Sequence, residues 1–344
     1  MKSPRSLLSG RPRPAIVVLI AALFLPGGGS PEARAAEKSA STRLEDFLKR
    51  AGFEGIEYKI DNREALVQGR LGDKNRTFLL DTGWALTTLD AHAARGLKTL
   101  GELNVKLDDS LGGRLSDPDI VLMEELTLGR AKFLNQPAKV RELKPEFTGW
   151  RYDGVLGFDF YYRNHCLVDC GGRRLYVRGS KPSEAVADTL AKSLRLSRFV
   201  EVPMAGRYGT TVDVEINGQT VKLLVDTGAF ATILDDSQLP RLGLTKLKYT
   251  GPRRGSQLLY DAGTTAVGVA GLEAMYVSDV KSFRIASQPW KDVQVGVGDL
   301  AKWQLAKAGT QNQEIQGLLG IDLLVIHSAL IDFTSNRLWF RPER

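Results

Sequence analysis

Two copies of the tripeptide Asp-Thr-Gly are the residues whose types most directly suggest chemistry. They lie at Asp81–Gly83 and Asp226–Gly228 of the 344-residue chain. Two carboxylates at hydrogen-bonding distance cannot both ionise cheaply, so they share a proton. One then acts as a base that activates water, and the other as an acid that protonates a scissile carbonyl and later the leaving nitrogen. We therefore expect Asp81 and Asp226 to form one hydrolytic site, which needs no metal and no cofactor.

The two motifs belong to a longer internal repeat. Residues 78–90 match residues 223–235 without a gap, and the segment 153–177 matches 316–340. The order is the same in both halves, and the second half is longer between its two matching segments. A duplicated supersecondary unit explains this self-similarity. The sequence therefore predicts two homologous lobes, each of which contributes one aspartate.

The elements that must position these aspartates are predicted to be strands. Ala65–Leu71 and Thr210–Ile216 are alternating or β-branched runs, followed by the turn dipeptides Gly72-Asp73 and Asn217-Gly218. Such dipeptides between strand-like runs indicate β-hairpins. The next predicted strand of each hairpin runs directly into Asp-Thr-Gly. We predict an all-β fold in which Gly171-Gly172 and residues 334–336 make the turns between the last two strands of each half.

The first 36 residues carry the pattern of a secretory signal peptide. A basic leader precedes the apolar run 15–25, and Ala33-Arg34-Ala35 then places small residues around a cleavage site near Ala35 or Ala36. The run is about half as long as a membrane-spanning helix requires, although an uncleaved anchor stays open. We expect an exported protein, periplasmic or secreted, without a stable membrane span after cleavage.

The remaining chain divides into two lobes with a short connection. The first lobe is predicted at 37–180, the linker at 181–198 and the second lobe at 199–344. Short helices are expected only at 44–51 and 185–196. The formal net charge of +7 falls to about +3 without the leader and is spread widely, whereas nucleic-acid binding requires a concentrated basic face. We therefore expect no nucleic-acid partner.

The motifs resemble those of the aspartic peptidases, particularly the retroviral-type (retropepsin-like) enzymes and their bacterial relatives. The resemblance rests on the two Asp-Thr-Gly motifs together with Val155-Leu156-Gly157 and Leu318-Leu319-Gly320. It implies the acid-protease fold, with a substrate cleft between two β-barrel-like lobes as in pepsin-like enzymes. Each apolar-apolar-Gly strand would support the neighbouring aspartate loop.

The remaining motif residues have expected roles in the site. Thr82 and Thr227 would hydrogen-bond across the lobes. Gly83 and Gly228 would allow the turn conformation and bring their N–H groups to the carboxylates. The halves are expected to pair within one chain, which makes a monomer, although pairing between the chains of a homodimer stays open.

One residue departs from the family pattern. Ala229 conforms to the small residue usual after Asp-Thr-Gly, but Trp84 does not, and both are expected to face the substrate cleft. Trp84 keeps a second hypothesis open, a protein that holds a peptide in the cleft without efficient cleavage. A mobile β-hairpin, the flap, is expected to cover the cleft around Gly112 and Gly113, with 251–255 as its counterpart.

Other sequence signals favour structural roles. Residues 296–301 match a dinucleotide-binding fingerprint, but no alternating βαβ pattern surrounds them. They also lie within the repeat, which we align by matching 287–289 to 135–137. The repeated aspartates outside the motifs are expected to make turn and strand-end hydrogen bonds: Asp90, Asp235, Asp159, Asp322, Asp169 and Asp332. Cys166 and Cys170, four residues apart in an extended segment, are too distant for a disulfide.

Overall fold

The computed structural model describes residues 44–61, 64–102, 119–143, 152–205, 210–248, 265–268, 271–274, 276–286, 288–300 and 315–342. The predicted signal peptide and both predicted flap segments lie outside these residues. The chain divides into Met1–Ser39, none of which is described, and one compact unit, Ala40–Arg344. This unit is mostly β, which confirms the predicted fold class.

The strands are short and their bounds follow the predicted hairpins. In chain order they are β1 (Glu54–Glu57), β2 (Lys59–Asp61), β3 (Glu64–Leu71), β4 (Lys74–Leu80), β5 (Thr88–Asp90), β6 (Lys98–Glu102), β7 (Asp119–Leu128), β8 (Ala131–Arg141), β9 (Gly154–Leu156), β10 (Leu167–Asp169), β11 (Arg174–Val177), β12 (Val200–Pro203), β13 (Thr211–Ile216), β14 (Gln219–Val225), β15 (Ile233–Asp235), β16 (Leu247–Lys248), β17 (Thr265–Gly268), β18 (Gly271–Ala274), β19 (Tyr276–Asp279), β20 (Phe283–Ile285), β21 (Gln288–Trp290), β22 (Gln294–Gly298), β23 (Gly317–Leu319), β24 (Leu330–Asp332) and β25 (Arg337–Phe340).

The helices are few. They are α1 (44–50), α2 (Phe158–Arg163), α3 (Glu184–Leu196), α4 (Leu239–Leu242) and α5 (Ile321–Ile326), with a 3₁₀ turn at Asp236–Gln238. The helices predicted at 44–51 and 185–196 are confirmed. Gly52, with φ of +84°, ends the first of them. Within the described part of the chain, no helix is long and apolar enough to cross a membrane.

The first lobe is a closed barrel. Its sheet has the order β2-β3-β4-β9-β5-β8-β7-β6, and β3 also pairs with β7. The ring β3-β4-β9-β5-β8-β7 therefore closes on itself. The predicted Gly72-Asp73 turn joins β3 to β4. The aspartate loop follows β4 directly, so the barrel wall fixes where Asp81 emerges.

The second lobe repeats these pairings. β14 lies parallel to β23 and β15 antiparallel to it, as β4 and β5 do with β9. The long strands of the first lobe are interrupted here, because β19 and β20 take the place of β7, and β21 and β22 that of β8. The lobes therefore share one topology, as the internal repeat predicts.

One detail of the predicted repeat is wrong. In the β20–β21 hairpin, the first paired residue after the turn is Gln288. In the β7–β8 hairpin it is Ala131. Gln288 therefore corresponds to Ala131, and the match of 287–289 to 135–137 is out of register by several residues. Gly296–Gly298 form the end of β22, which pairs with β15 inside the lobe. The dinucleotide-like fingerprint thus begins in a buried strand.

A third sheet joins the two halves. Its order is β1-β11-β10-β24-β25-β12, and β10 pairs with β24 so that Val168 faces Ile331. The predicted turns between the last two strands of each half are confirmed, since Arg173 and Asn336 adopt φ of 54° and 57° at matching positions. One sheet face joins the main core. The other is covered by α1 and α3 through a cluster that includes Leu48, Leu190, Leu194, Tyr176 and Trp339.

The cysteines flank β10. Cys166 precedes the strand and Cys170 follows it, and both are free and fully buried. They pack in the main core with the strand's Val168. The two thiols therefore serve as small core side chains.

Candidate active site

The side chains of Asp81 and Asp226 meet where the two lobes touch. They are hydrogen-bonded to each other, and Asp226 is only 7% exposed. The structure thus brings the two motifs, 145 residues apart, into one composite site within a single chain. This is the geometry expected for a carboxylate pair.

Each carboxylate is held by its own loop in the same way. Oδ1 of Asp81 accepts hydrogen bonds from the backbone N–H groups of Gly83 at 3.0 Å and Trp84 at 2.9 Å. Oδ1 of Asp226 accepts from Gly228 at 2.9 Å and Ala229 at 3.1 Å. Such bonds fix the carboxylates and favour their charged form. The two halves of the site are therefore closely equivalent.

The motif glycines are required by space. A Cβ atom on Gly83 would lie 2.4 Å from Cγ of Asp226, and one on Gly228 would lie 2.3 Å from Cγ of Asp81. Neither glycine has a positive φ, so the predicted need for a special turn conformation is wrong. Glycine is needed because the carboxylate of the opposite lobe approaches the backbone closely.

The motif threonines join the two loops, as predicted. Thr82 N–H donates to Oγ1 of Thr227 at 3.0 Å, and Thr227 N–H donates to Oγ1 of Thr82 at 3.1 Å. The hydroxyls then donate across the junction, from Thr82 to the Val225 carbonyl at 2.8 Å and from Thr227 to the Leu80 carbonyl at 2.7 Å. Both side chains are fully buried. These four bonds fix the position of one carboxylate relative to the other.

The apolar-apolar-Gly segments support the loops from below, which the resemblance implied. Asp81 N–H donates to the Leu156 carbonyl at 3.2 Å, and Asp226 N–H donates to the Leu319 carbonyl at 3.0 Å. Gly157 and Gly320 then pass against the loops, where a Cβ atom would lie 2.7 Å from the Trp84 carbonyl oxygen and 2.3 Å from the Ala231 carbonyl carbon. The loops are therefore backed by rigid strands.

The six repeated aspartates outside the motifs have the predicted structural roles. Each accepts at least one backbone N–H or threonine hydroxyl bond. The bonds repeat between the lobes: Oδ2 of Asp90 accepts from Leu143 N–H and Oδ2 of Asp235 from Leu300 N–H, both at 2.8 Å. These carboxylates therefore brace the turns around the site.

Burial and mutual repulsion set the charge of the aspartate pair. Burial raises the pKa of Asp81 well above its usual value, and the negative charge of Asp226 raises it further. Burial also raises the pKa of Asp226, while the hydrogen bond with Asp81 and its loop N–H groups lower it. The pair therefore holds one shared proton. The titration belongs to the pair.

The large side chain of Trp84 does not disturb the loop that holds Asp81. Its backbone N–H donates a hydrogen bond to Asp81, as the backbone N–H of Ala229 does to Asp226. Its indole Nε1 donates to Oγ1 of Thr88 at 2.9 Å. The ring packs on the first lobe's own cluster of Leu66, Leu79 and Val155. The bulky residue therefore leaves the hydrogen bonds of the carboxylate intact and lies on the wall beside it.

Two residues near the site were not singled out from the sequence. Glu64 begins β3 beside the Asp81 loop, and its Oε2 is buried. Tyr152 packs on the same cluster as Trp84, and burial together with the charges of Glu64 and Asp81 raises its pKa. The hairpin register around Gly72-Asp73 was the sequence signal that could have located Glu64. The predicted flap residues Gly112 and Gly113, and residues 251–255, lie outside the described residues.

The arrangement of the site provides acid–base groups without a metal cluster. Among the residues that the structure describes, no group of three or more His, Cys, Asp or Glu side chains is placed to hold a metal ion. The chemistry that these residues supply is that of two buried carboxylates and a shared proton. Such a pair can both take a proton from water and give one to a carbonyl oxygen.

Comparison with known protein families agrees with this geometry. Residues 67–160 and 212–323 match the aspartyl protease family. The two matched regions contain the two Asp-Thr-Gly motifs and both apolar-apolar-Gly strands. A comparison with individual curated proteins found no match.

Proposed function

The chain belongs to the aspartyl protease family, and from this premise we propose that it is an aspartic endopeptidase of the retropepsin-like, tandem type. Asp81 and Asp226 would be its catalytic residues, and its substrates peptides or proteins bound in extended form. The observation that carries the proposal is the contact between the two carboxylates, each held by two loop N–H groups.

The charge state of the pair supports a water-based mechanism. The ionised carboxylate takes a proton from water, and the water oxygen attacks the scissile carbonyl carbon. The protonated carboxylate gives its proton to the carbonyl oxygen. The tetrahedral intermediate then collapses as a proton passes to the leaving nitrogen and the C–N bond breaks. The threonine bonds across the lobes keep the two carboxylates at the distance that both transfers require.

Cleavage of an unfolded protein or a mixed peptide library by the purified protein is the direct test. Asp226→Asn should abolish cleavage, because an amide cannot act as the base. The carboxylate and amide have nearly the same shape, so the variant should fold. Undiminished cleavage by this variant would contradict the proposal, and pepstatin-sensitive cleavage by the natural sequence would support it.

The binding-only alternative rested on Trp84. The loop bonds of Asp81 are complete in spite of the indole, so nothing in the described residues favours this alternative. If the alternative held, the natural sequence would bind peptides without cutting them, and Trp84→Ala would weaken that binding.

Pairing of the lobes within one chain is part of the proposal. The threonine contacts between residues 82 and 227 support a monomer. In a dimer with Asp81/Asp81 and Asp226/Asp226 sites, the Asp81→Asn variant would keep one site intact. We expect that variant to be inactive at nanomolar protein, where the measured mass should be that of a single chain.

Export to the periplasm or the medium is proposed from the leader alone. The motivating features are its basic start, the apolar run and the small residues before Ala36. Sequencing the N-terminus of the protein recovered from periplasm or medium should place the first residue near Glu37. Recovery of the intact leader from the cytoplasm would contradict this proposal.

A further inference from the structure

The strand register places a third carboxylate beside the aspartate pair. The β3–β4 ladder pairs Leu66 with Leu79, two residues before Asp81. Extended by two residues, the same register sets Glu64 opposite Asp81. Directly opposite residues of an antiparallel pair point to the same face, and so do residues two apart on one strand. Glu64 therefore shares a face with Leu66 and Leu79.

That face is a wall next to the site. Leu66, Leu79 and Val155 form a small buried cluster against which Trp84 and Tyr152 pack. The charges of both Glu64 and Asp81 raise the pKa of Tyr152, so both carboxylates lie near this tyrosine. Glu64 and the aspartate pair therefore border the same wall, on which the guanidinium carbon of Arg141 also lies 5.6 Å from the centre of the Trp84 ring.

The carboxylate of Glu64 lacks a partner at one oxygen. Its Oε2 is buried and makes no hydrogen bond within the described part of the chain. A buried, unpaired carboxylate oxygen is costly, and in a native structure it calls for an explanation. A cationic group supplied from outside the chain would remove this cost.

We propose that Glu64 is a specificity-determining residue, which accepts the ammonium or guanidinium group of a lysine or arginine of the substrate next to the scissile bond. This inference rests on the proposed peptidase function. The aliphatic stem of such a side chain would lie along the Trp84–Tyr152 surface while its charge reaches Glu64.

The described residues of the second lobe show no matching charge on the equivalent wall. Its buried hydrophobic residues are Leu224, Ala229, Ile233, Ile315 and Leu318. In a site with two equivalent halves, the lobes receive residues on opposite sides of the scissile bond. The preference for a cation is therefore one-sided, with an apolar residue expected on the other side.

The acid–base behaviour of Glu64 bears on how it would bind a cation. Burial raises its pKa to about 7, and the neighbouring charge of Asp61 contributes in the same direction. A bound cation acts in the opposite sense and favours the ionised form. Binding assays at pH 8 therefore start from a largely ionised Glu64.

The test separates binding from cleavage. The full chain carrying Asp226→Asn is mixed with peptides that differ only in lysine or norleucine, placed in turn at each position of one peptide sequence. A charge-assisted contact should make the lysine peptide bind about tenfold more tightly at one position. Glu64→Gln should abolish this difference. Asp61→Asn, which removes an exposed carboxylate of the same hairpin, should retain it.

The outcomes distinguish this inference from the proposed function. Equal affinity for the two peptides at every position, binding of neither, or a lysine preference that survives Glu64→Gln would each overturn the role of Glu64. Cleavage by the natural sequence would in those cases still support the peptidase. A Glu64-dependent lysine preference without cleavage would support the subsite and contradict the peptidase.

Discussion

The threonine bonds between the lobes lead to a prediction about unequal losses of stability. The two hydroxyls look equivalent, but their acceptors are not. The Val225 carbonyl, which accepts from Thr82, also accepts from the hydroxyl of Thr210 at 3.2 Å. The position that corresponds to Thr210 in the first lobe is Ala65, which has no hydroxyl. Among the side chains that the structure describes, the Leu80 carbonyl therefore depends on Thr227 alone as a donor.

The sizes of the losses follow from the groups left without partners. Thr82→Val removes a bond to the buried Thr227 N–H, while Val225 keeps Thr210 as a donor. One orphaned buried group costs about 1–3 kcal/mol. Thr227→Val leaves two groups unpaired, the Thr82 N–H and the Leu80 carbonyl. We expect it to cost roughly twice as much, about 2–6 kcal/mol.

Equilibrium unfolding in guanidinium chloride measures both losses, with the slope as a check that the two-state description holds. A control tests the cause. When Thr82→Val is made in a Thr210→Val background, its loss of unfolding free energy should approach that of Thr227→Val. Equal losses for the two single variants, or a larger loss for Thr82→Val, would refute the reasoning from orphaned groups.

Two further outcomes are expected. Gly228→Ala should abolish peptidase activity and lower the melting temperature, because its Cβ would lie 2.3 Å from Cγ of Asp81; retention of both would contradict the close approach. Asp226→Asn should be more stable than the natural sequence at pH 7. Raised pKa values mean that the folded state keeps its protons to a higher pH than the unfolded state. The natural protein therefore loses stability as pH rises above the ordinary aspartate range. The amide does not titrate, so the variant should show a weaker dependence of stability on pH. A melting curve series from pH 4 to 8 checks the sign, and a variant that follows the natural pH slope would contradict it.

The sequence predicted those parts of the site that depend on residue type and local order. Asp-Thr-Gly after a strand, repeated in two matching contexts, was enough to place two aspartates in one site and to anticipate the bonds between Thr82 and Thr227. The reason for the glycines was missed, because it lies in a contact between loops 145 residues apart. Local propensity cannot show such a contact. The alignment of 287–289 failed for a related reason, since only strand register reveals that two long strands are interrupted in the second lobe.

The positions at which the two lobes differ point to a different role from the positions that they share. The hydrogen bonds that hold the carboxylates repeat almost atom for atom, because any change there would move the two aspartates. The residues on the wall beside the site are not constrained in this way. At these positions, Trp84 of the first lobe corresponds to Ala229 of the second, and Tyr152 corresponds to Ile315. Glu64 belongs to this second group. Its role could not be read from residue type, since an exposed glutamate at a strand start is ordinary, and only the register opposite Asp81 and the buried oxygen distinguish it. In a duplicated enzyme of this kind, we therefore expect catalysis to reside in the positions that the halves share and substrate preference in the positions where they diverge.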